Sequence, residues 1–216
     1  MKNLYILIIS IFILSCSNNV NEQKVFTIVH MNDTHSKNKE FITVSKEDGT
    51  TNRYAGAARR KTFIDNIKKE NENVIVMHAG DTITGSVFSI VYQGMDETEL
   101  MNDIGVNVST LGNHEFDFGI EQLNNIISNR NFPTIACNVK VKATGENYVA
   151  PYIITNIKGI NVAVIGVLQS EKMNIIQGLD YIDIEEEVSS LKNLLEEIPL
   201  NTTNDMTILL SHAGFD

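Results

Sequence analysis

The residues of this chain best suited to chemistry are its five histidines and the acids and amides beside them. His30 and His35 stand in VFTIVHMNDTHS, His78 in VIVMHAGDT, His114 in STLGNHEFDFG and His212 in MTILLSHAGFD. Each lies within a few residues of the C-terminal end of a short apolar run, in the company of Asp33, Asp81, Asn113, Glu115 or Asp117. Imidazole nitrogens combined with hard oxygen donors suit divalent cations, and carboxylates delivered by apolar segments need a compensating positive charge. Taken singly, several pieces have plainer readings. Asp33 with His35 fits a turn after a strand, Gly80-Asp81 fits another, and His212 fits a hydrogen-bonded histidine at a strand end. GDTITGS is no Walker A loop, because no Lys-Ser/Thr pair follows its last glycine. The run Asn113-His114-Glu115-Phe116-Asp117 resists such a reading, since it sets four polar groups around one aromatic. Taken together, the segments point to metal.

The runs that deliver these residues are short, β-branched and bounded by Asn, Gly and Asp, as buried strands are. They are VFTIVH (25–30), VIVMH (74–78), TIAC (134–137), NVAVIGVL (161–168) and MTILL (206–210), with VNVSTL (106–111) as a weaker sixth. Helical patterns fall between them at 55–69, 96–104, 120–128 and 184–198, the last stopping before Pro199. Polar stretches at 37–53 and 140–147 read as exposed loops. Strands alternating with helices imply an α/β layered fold with a largely parallel sheet. In such sheets the ligand crevice lies at the carboxyl ends of the strands, where all of these histidines stand.

Composition narrows the function. The chain has 216 residues, with 17 Lys and Arg against 27 Asp and Glu, for a net charge of −10. Hydrophobic content of 43% fits a folded body, and the acidic balance argues against nucleic acid as a partner. A small phosphate ester would be repelled by that charge unless bound cations reversed its sign locally. The first residues read as a targeting segment. Lys2 precedes an apolar run at 4–14 that is too short to span a bilayer comfortably. The run ends in Ile13-Leu14-Ser15-Cys16, which resembles a bacterial lipobox. That resemblance implies cleavage of a lipoprotein signal peptide (1–15), acylation of Cys16 and a polar tether (16–24). The mature protein would then be held by two acyl chains to a membrane on the exported side. Cys137 would be left as the lone thiol.

VHMNDTHS, HAGDTITGS, TLGNHEFDFG and LLSHAGFD, in this order, resemble the motifs of the 5′-nucleotidase family of calcineurin-like metallophosphoesterases. The match spans 25–216. It implies a four-layer α/β/β/α sandwich holding two divalent metals, zinc, manganese, magnesium or similar, and hydrolysing phosphate esters of nucleotides. Carried over residue by residue, Asp33 and His35 hold the first metal, Asp81 bridges both, and Asn113 and His212 hold the second. Asn113 and His114 meet the substrate phosphate. His114 acts from outside the metal shell and Asp117 orients its ring. His30 and His78 have no role in the pattern and read as structural or supporting. The sequence departs from the family in having no Gly-His-x-His motif and no nucleobase-clamping C-terminal domain. The fold is thus expected to be incomplete at its C-terminus, as the N-terminal part of a longer protein. Three functions follow from the resemblance: a 5′-nucleotidase, a cyclic-nucleotide or UDP-sugar phosphoesterase with the same metal site, or an inactive truncated surface lipoprotein.

Overall fold

The computed structural model describes residues 25–54, 56–171, 180–197 and 204–214. The segments read above as a signal peptide, a lipobox with Cys16 and a tether all lie outside the described residues. Among the described residues no helix is long and apolar enough to cross a membrane.

Two sheets form the centre. In the first, β1 (Thr27–Met31), β4 (Val74–His78), β5 (Val108–Thr110) and β6 (Thr134–Ile135) lie side by side in that order, all parallel. In the second, β9 (Ile160–Leu168) lies between β11 (Met206–His212), which runs parallel to it, and β8 (Tyr152–Ile157), which runs antiparallel. The side-chain alternation of a strand shows why these runs are apolar throughout. In β4, Ile75 and Met77 enter the cluster between the sheets, while Val76 faces the opposite way. There it packs with Ile64 of α1 (Ala57–Glu70) and with Met101 and Ile104 of α3 (Met95–Ile104). In β9, Val162 and Val164 meet the first sheet. Ala163, Ile165 and Val167 turn outward to Leu194 of α5 (Glu187–Glu197). The result is four layers, helix, sheet, sheet and helix. Complete burial of each such aliphatic side chain contributes about 1.5–3 kcal/mol, enough to hold β4 and β9 at the centre.

Three departures from the sequence reading stand out. The stretch read as a loop at 37–53 contains an antiparallel hairpin, β2 (Phe41–Val44) with β3 (Thr51–Tyr54). Its apolar residues Phe41, Ile42 and Val44 are exposed, so no burial pattern marked it. The second supposed loop begins as β7 (Val139–Val141), paired with β10 (Ile182–Ile184). A short helix, α2 (Val87–Tyr92), starts at Ser86, whose hydroxyl accepts a hydrogen bond from the Ser89 amide at 3.1 Å, as a helix N-cap does. The remaining helix, α4 (Gly119–Asn129), falls where its pattern predicted.

Candidate metal centre

β1, β4, β5 and β11 all end at one edge, and the segments leaving them carry the polar residues. The chain after β1 runs beside the chain after β4. Asp33 N–H donates to Gly80 O (3.0 Å), His35 N–H to Asp81 O (3.1 Å) and Ser36 N–H to Thr82 O (2.9 Å). This pairing needs unusual backbone: Asp33 (φ 50°), His35 (48°), Ser36 (49°) and Asp81 (58°) are all left-handed without being glycine. Such residues cost of order 1–3 kcal/mol each and persist where the surroundings dictate them. The loops after β4 and β5 also meet at van der Waals limits. A Cβ on Gly112 would overlap the amide nitrogen and a carboxylate oxygen of Asp81. One on Gly80, itself at φ 87°, would stand 2.6 Å from Gly112 N.

Those loops gather the side chains. His35 Nε2 lies 3.6 Å from Asp33 Oδ1 and 3.8 Å from Asp81 Oδ2. His212 Nε2 lies 3.4 Å from the same Asp81 oxygen and 3.3 Å from Asn113 Oδ1. Two groups of potential ligand atoms lie within 4.8 Å of one another: His35, Asp81 and His114 in one, and Asp33, Asp81 and His212 in the other. Asp81 belongs to both. His114, expected outside the metal shell, is thus close to it, and its Nδ1 is engaged at 2.7 Å by Asp117 Oδ2. Its ring meets that of His35 edge-on, centroids 5.1 Å apart. A cleft of about 380 Å³ opens between Asp33, Asp81, Asn113 and His212, with His30 and Gln169 on its wall.

Charge is unbalanced in a way a cation would correct. Asp81 is 4% exposed, and among the described residues its ion-pair partners are imidazoles alone. Burial raises its pKa, but the His212 hydrogen bond and charge and the His114 amide outweigh this and hold it below the usual carboxylate value. Burial likewise opposes a charge on His212, yet the Asp81 hydrogen bond and charge, helped by the Ala79 carbonyl, raise its pKa to about 9. Burial also works against a charge on His114, but its hydrogen bond to Asp117 and the Asp81 charge prevail, so its pKa rises. The buried Asp81 carboxylate thus favours positive charge on the imidazoles around it. The donor set of carboxylates, imidazoles and one amide oxygen fits divalent cations.

The calcineurin-like phosphoesterase sequence profile matches residues 26–216. The chain belongs to that family. Among relatives of this calcineurin-like phosphoesterase, the endonuclease YhcR of Bacillus subtilis is 32% identical over 84% of this chain and 16% of its own length. The rat (Rattus norvegicus) 5′-nucleotidase is 30% identical over 88% of this chain and 34% of its own. The solved structure of the Haemophilus influenzae NAD nucleotidase NadN superposes with a TM-score of 0.78 at 28% identity, covering 88% of this chain and 38% of that one. The chain therefore spans about a third or less of the curated relatives it matches. The family consists of hydrolases of phosphoesters that employ divalent metals.

One residue that shapes this phosphoesterase site escaped the sequence reading. Glu115 is fully buried, and its Oε2 accepts from Asp81 N–H (2.9 Å) and Gly112 N–H (2.6 Å). Its Oε1 accepts from Thr82 N–H (2.7 Å) and the Thr82 hydroxyl (2.6 Å). A single carboxylate thus ties together the loops after β4 and β5. Its charge faces the equally buried Arg130, 3.9 Å away, which also donates to Thr82, Ser109 and Thr134. The sequence showed Glu115 only as one acid of a polar motif, because its partners Asp81 and Thr82 lie more than thirty residues away.

Proposed function

We propose that the chain carries a two-metal phosphoesterase site of 5′-nucleotidase type, acting on nucleotides or other small phosphoesters. Asp33, His35, Asp81, Asn113 and His212 would hold the ions, with Asp81 shared between them. The observation that carries this reading is the position of Asp81, whose Oδ2 stands 3.8 Å from His35 and 3.4 Å from His212. Bound divalent cations supply Lewis acidity toward a phosphoryl oxygen and an acidified water as nucleophile. The chain's own residues do the rest. With Nδ1–H donated to Asp117, the His114 ring is fixed in orientation and keeps Nε2 for the phosphoryl group or the leaving oxygen. Burial opposes a charge on the ring, but the Asp117 hydrogen bond and the Asp81 charge raise its pKa and so favour the protonated form. The Asn113 amide, at the cleft wall, has a nitrogen to offer a phosphate oxygen.

The three relatives reported above are named as an endonuclease, a 5′-nucleotidase and an NAD nucleotidase, and their shared family supports phosphoester hydrolysis more firmly than any one leaving group. A bacterial envelope location through lipidated Cys16 is part of the same reading, because a polar tether would set the domain clear of the membrane. The test is metal analysis of the purified chain followed by phosphate release from AMP, with NAD, a UDP-sugar, a cyclic nucleotide and a phosphodiester in parallel. Two equivalents of divalent metal and metal-dependent turnover are expected from a protein that also supplies the Gly-His-x-His ligands of the family pattern, and weaker metal binding from residues 1–216 alone. A chain that binds no divalent metal, or binds it equally after Asp81→Asn, overturns the reading and favours an inactive surface protein.

A further inference from the structure

Thr34 stands between the two side chains read above as ligands, and it points away from them. Its hydroxyl donates to Glu97 Oε1 at 3.1 Å and lies 3.1 Å from His78 Nε2. Because the single hydroxyl proton goes to the carboxylate, His78 must donate Nε2–H to the hydroxyl oxygen, which leaves Nδ1 bare. Burial drives the pKa of His78 down to about 3, so its ring is neutral. Arg60 donates to the same Glu97 oxygen at 3.2 Å and to Asn38 Oδ1 at 2.8 Å. One hydroxyl thus fastens the loop after β1 to α3 and the end of β4, while Arg60 of α1 holds the same Glu97 oxygen. As a stabilising device this is poor. His78 and Glu97 are fully buried, and among the described residues His78 Nδ1 and Glu97 Oε2 have no hydrogen-bond partner. Apolar residues of similar volume would serve stability as well or better.

What the network does accomplish is geometric. Asp33, His35 and Ser36 hold left-handed backbone, and Thr34 is the residue of that turn whose side chain is tied to α3 and the end of β4. The His35 ring instead meets the Ile83 carbonyl of the neighbouring loop, 3.3 Å from Nδ1. We propose that Thr34 is a positioning residue for Asp33 and His35, pinned by Glu97, Arg60 and His78. It sets the ligand pair before any cation arrives. The role given to that pair rests on the metal reading above, whereas the pinning itself does not.

The test uses the metal-stripped full chain with Thr34→Val, which keeps the shape and removes the hydroxyl, and Thr34→Ser, which restores it. Hydrogen exchange of the peptide spanning residues 33–36 is expected to quicken about tenfold in Thr34→Val, with the melting midpoint and the exchange of β9 little changed. Thr34→Ser should restore the slow rate. In a Mn²⁺ titration the Val variant should bind about tenfold more weakly and the Ser variant like wild type. Exchange within about twofold of wild type in the Val variant overturns the proposal, as does a loss spread over the whole chain that serine fails to rescue. A wild-type chain that takes up no Mn²⁺ would sink the metal reading, while the exchange data would still decide the pinning. If Thr34→Val does not fold, Thr34→Ala replaces it, and the same exchange rates support or overturn the pinning.

Discussion

The three loops that bring the candidate ligands together are held in two opposite ways. The loops after β4 and β5 are locked from inside by one carboxylate, Glu115, which satisfies three backbone amides and a hydroxyl. The loop after β1 has no such internal lock. It borrows its shape from its neighbour through the Gly80, Asp81 and Thr82 carbonyls, and from the interior through Thr34. The difference implies a hierarchy. Damage at Glu115 or Gly112 should propagate to Asp33 and His35, while damage at Thr34 should stay local.

The largest effect is expected from Gly112→Ala. The new methyl would overlap the Asp81 backbone nitrogen, which cannot yield, and carboxylate oxygens of Asp81 and Glu115 that backbone amides hold in place. A loss above about 4 kcal/mol, or failure to fold, is expected in denaturant unfolding, since overpacking against backbone reaches the upper end of single-site effects. A loss under about 1 kcal/mol would show that the two loops are less closely joined than described. Next comes His114→Ala. Its backbone N–H, which holds Asp81 Oδ1 at 2.9 Å, remains, so metal content should persist while turnover falls about 10²–10⁴-fold. Parallel loss of metal and turnover would place the ring among the ligands instead.

A smaller loss separates the two loops most directly. Glu115→Gln puts an amide NH₂ against N–H donors and should lower stability by about 2–4 kcal/mol. Amide exchange at residues 80–82 should rise with it, and at 33–36 in consequence. If 33–36 stay protected, the hierarchy is wrong. The mildest prediction concerns pH. In the metal-free chain the His212 pKa is raised from 6.5 to about 9, so a cation must displace its proton. Apparent metal affinity should therefore climb by about tenfold per pH unit toward pH 9 and then level off. The stabilisation from the charged His212–Asp81 pair has the opposite dependence at its upper end: it is complete between about pH 4 and 6.5, is lost as pH rises through about 9, and is lost again in acid once Asp81 is protonated. Asp81→Asn should flatten both curves.

The sequence made the layers legible because β4 and β9 are buried on both faces, and an unbroken apolar run survives any reading of period. It made the strand-end acids and imidazoles legible because they follow such runs directly. The β2–β3 hairpin stayed hidden for the converse reason. Exposed strands carry no pattern of burial, although Asp48-Gly49 at its tip is a turn signal. Glu115, Arg130, Thr34 and Glu97 were unreadable as a class. Each acts on residues far away in the chain, and nothing in the local sequence distinguishes a buried acid with four donors from an exposed one.

The wide spread of the donors along the chain has a consequence for biogenesis. His212 hydrogen-bonds to Ala79 across 133 positions and to Asn113 across 99. No nascent fragment lacking β11 owns the complete constellation, and contacts of such long range form late because loop-closure entropy must be met first. A zinc finger can be nucleated by its ion, whereas the donors proposed here meet only once the topology is in place, so cations would be acquired at the end. Cation supply should therefore govern how much of the folded protein is loaded, and leave the rate of folding untouched.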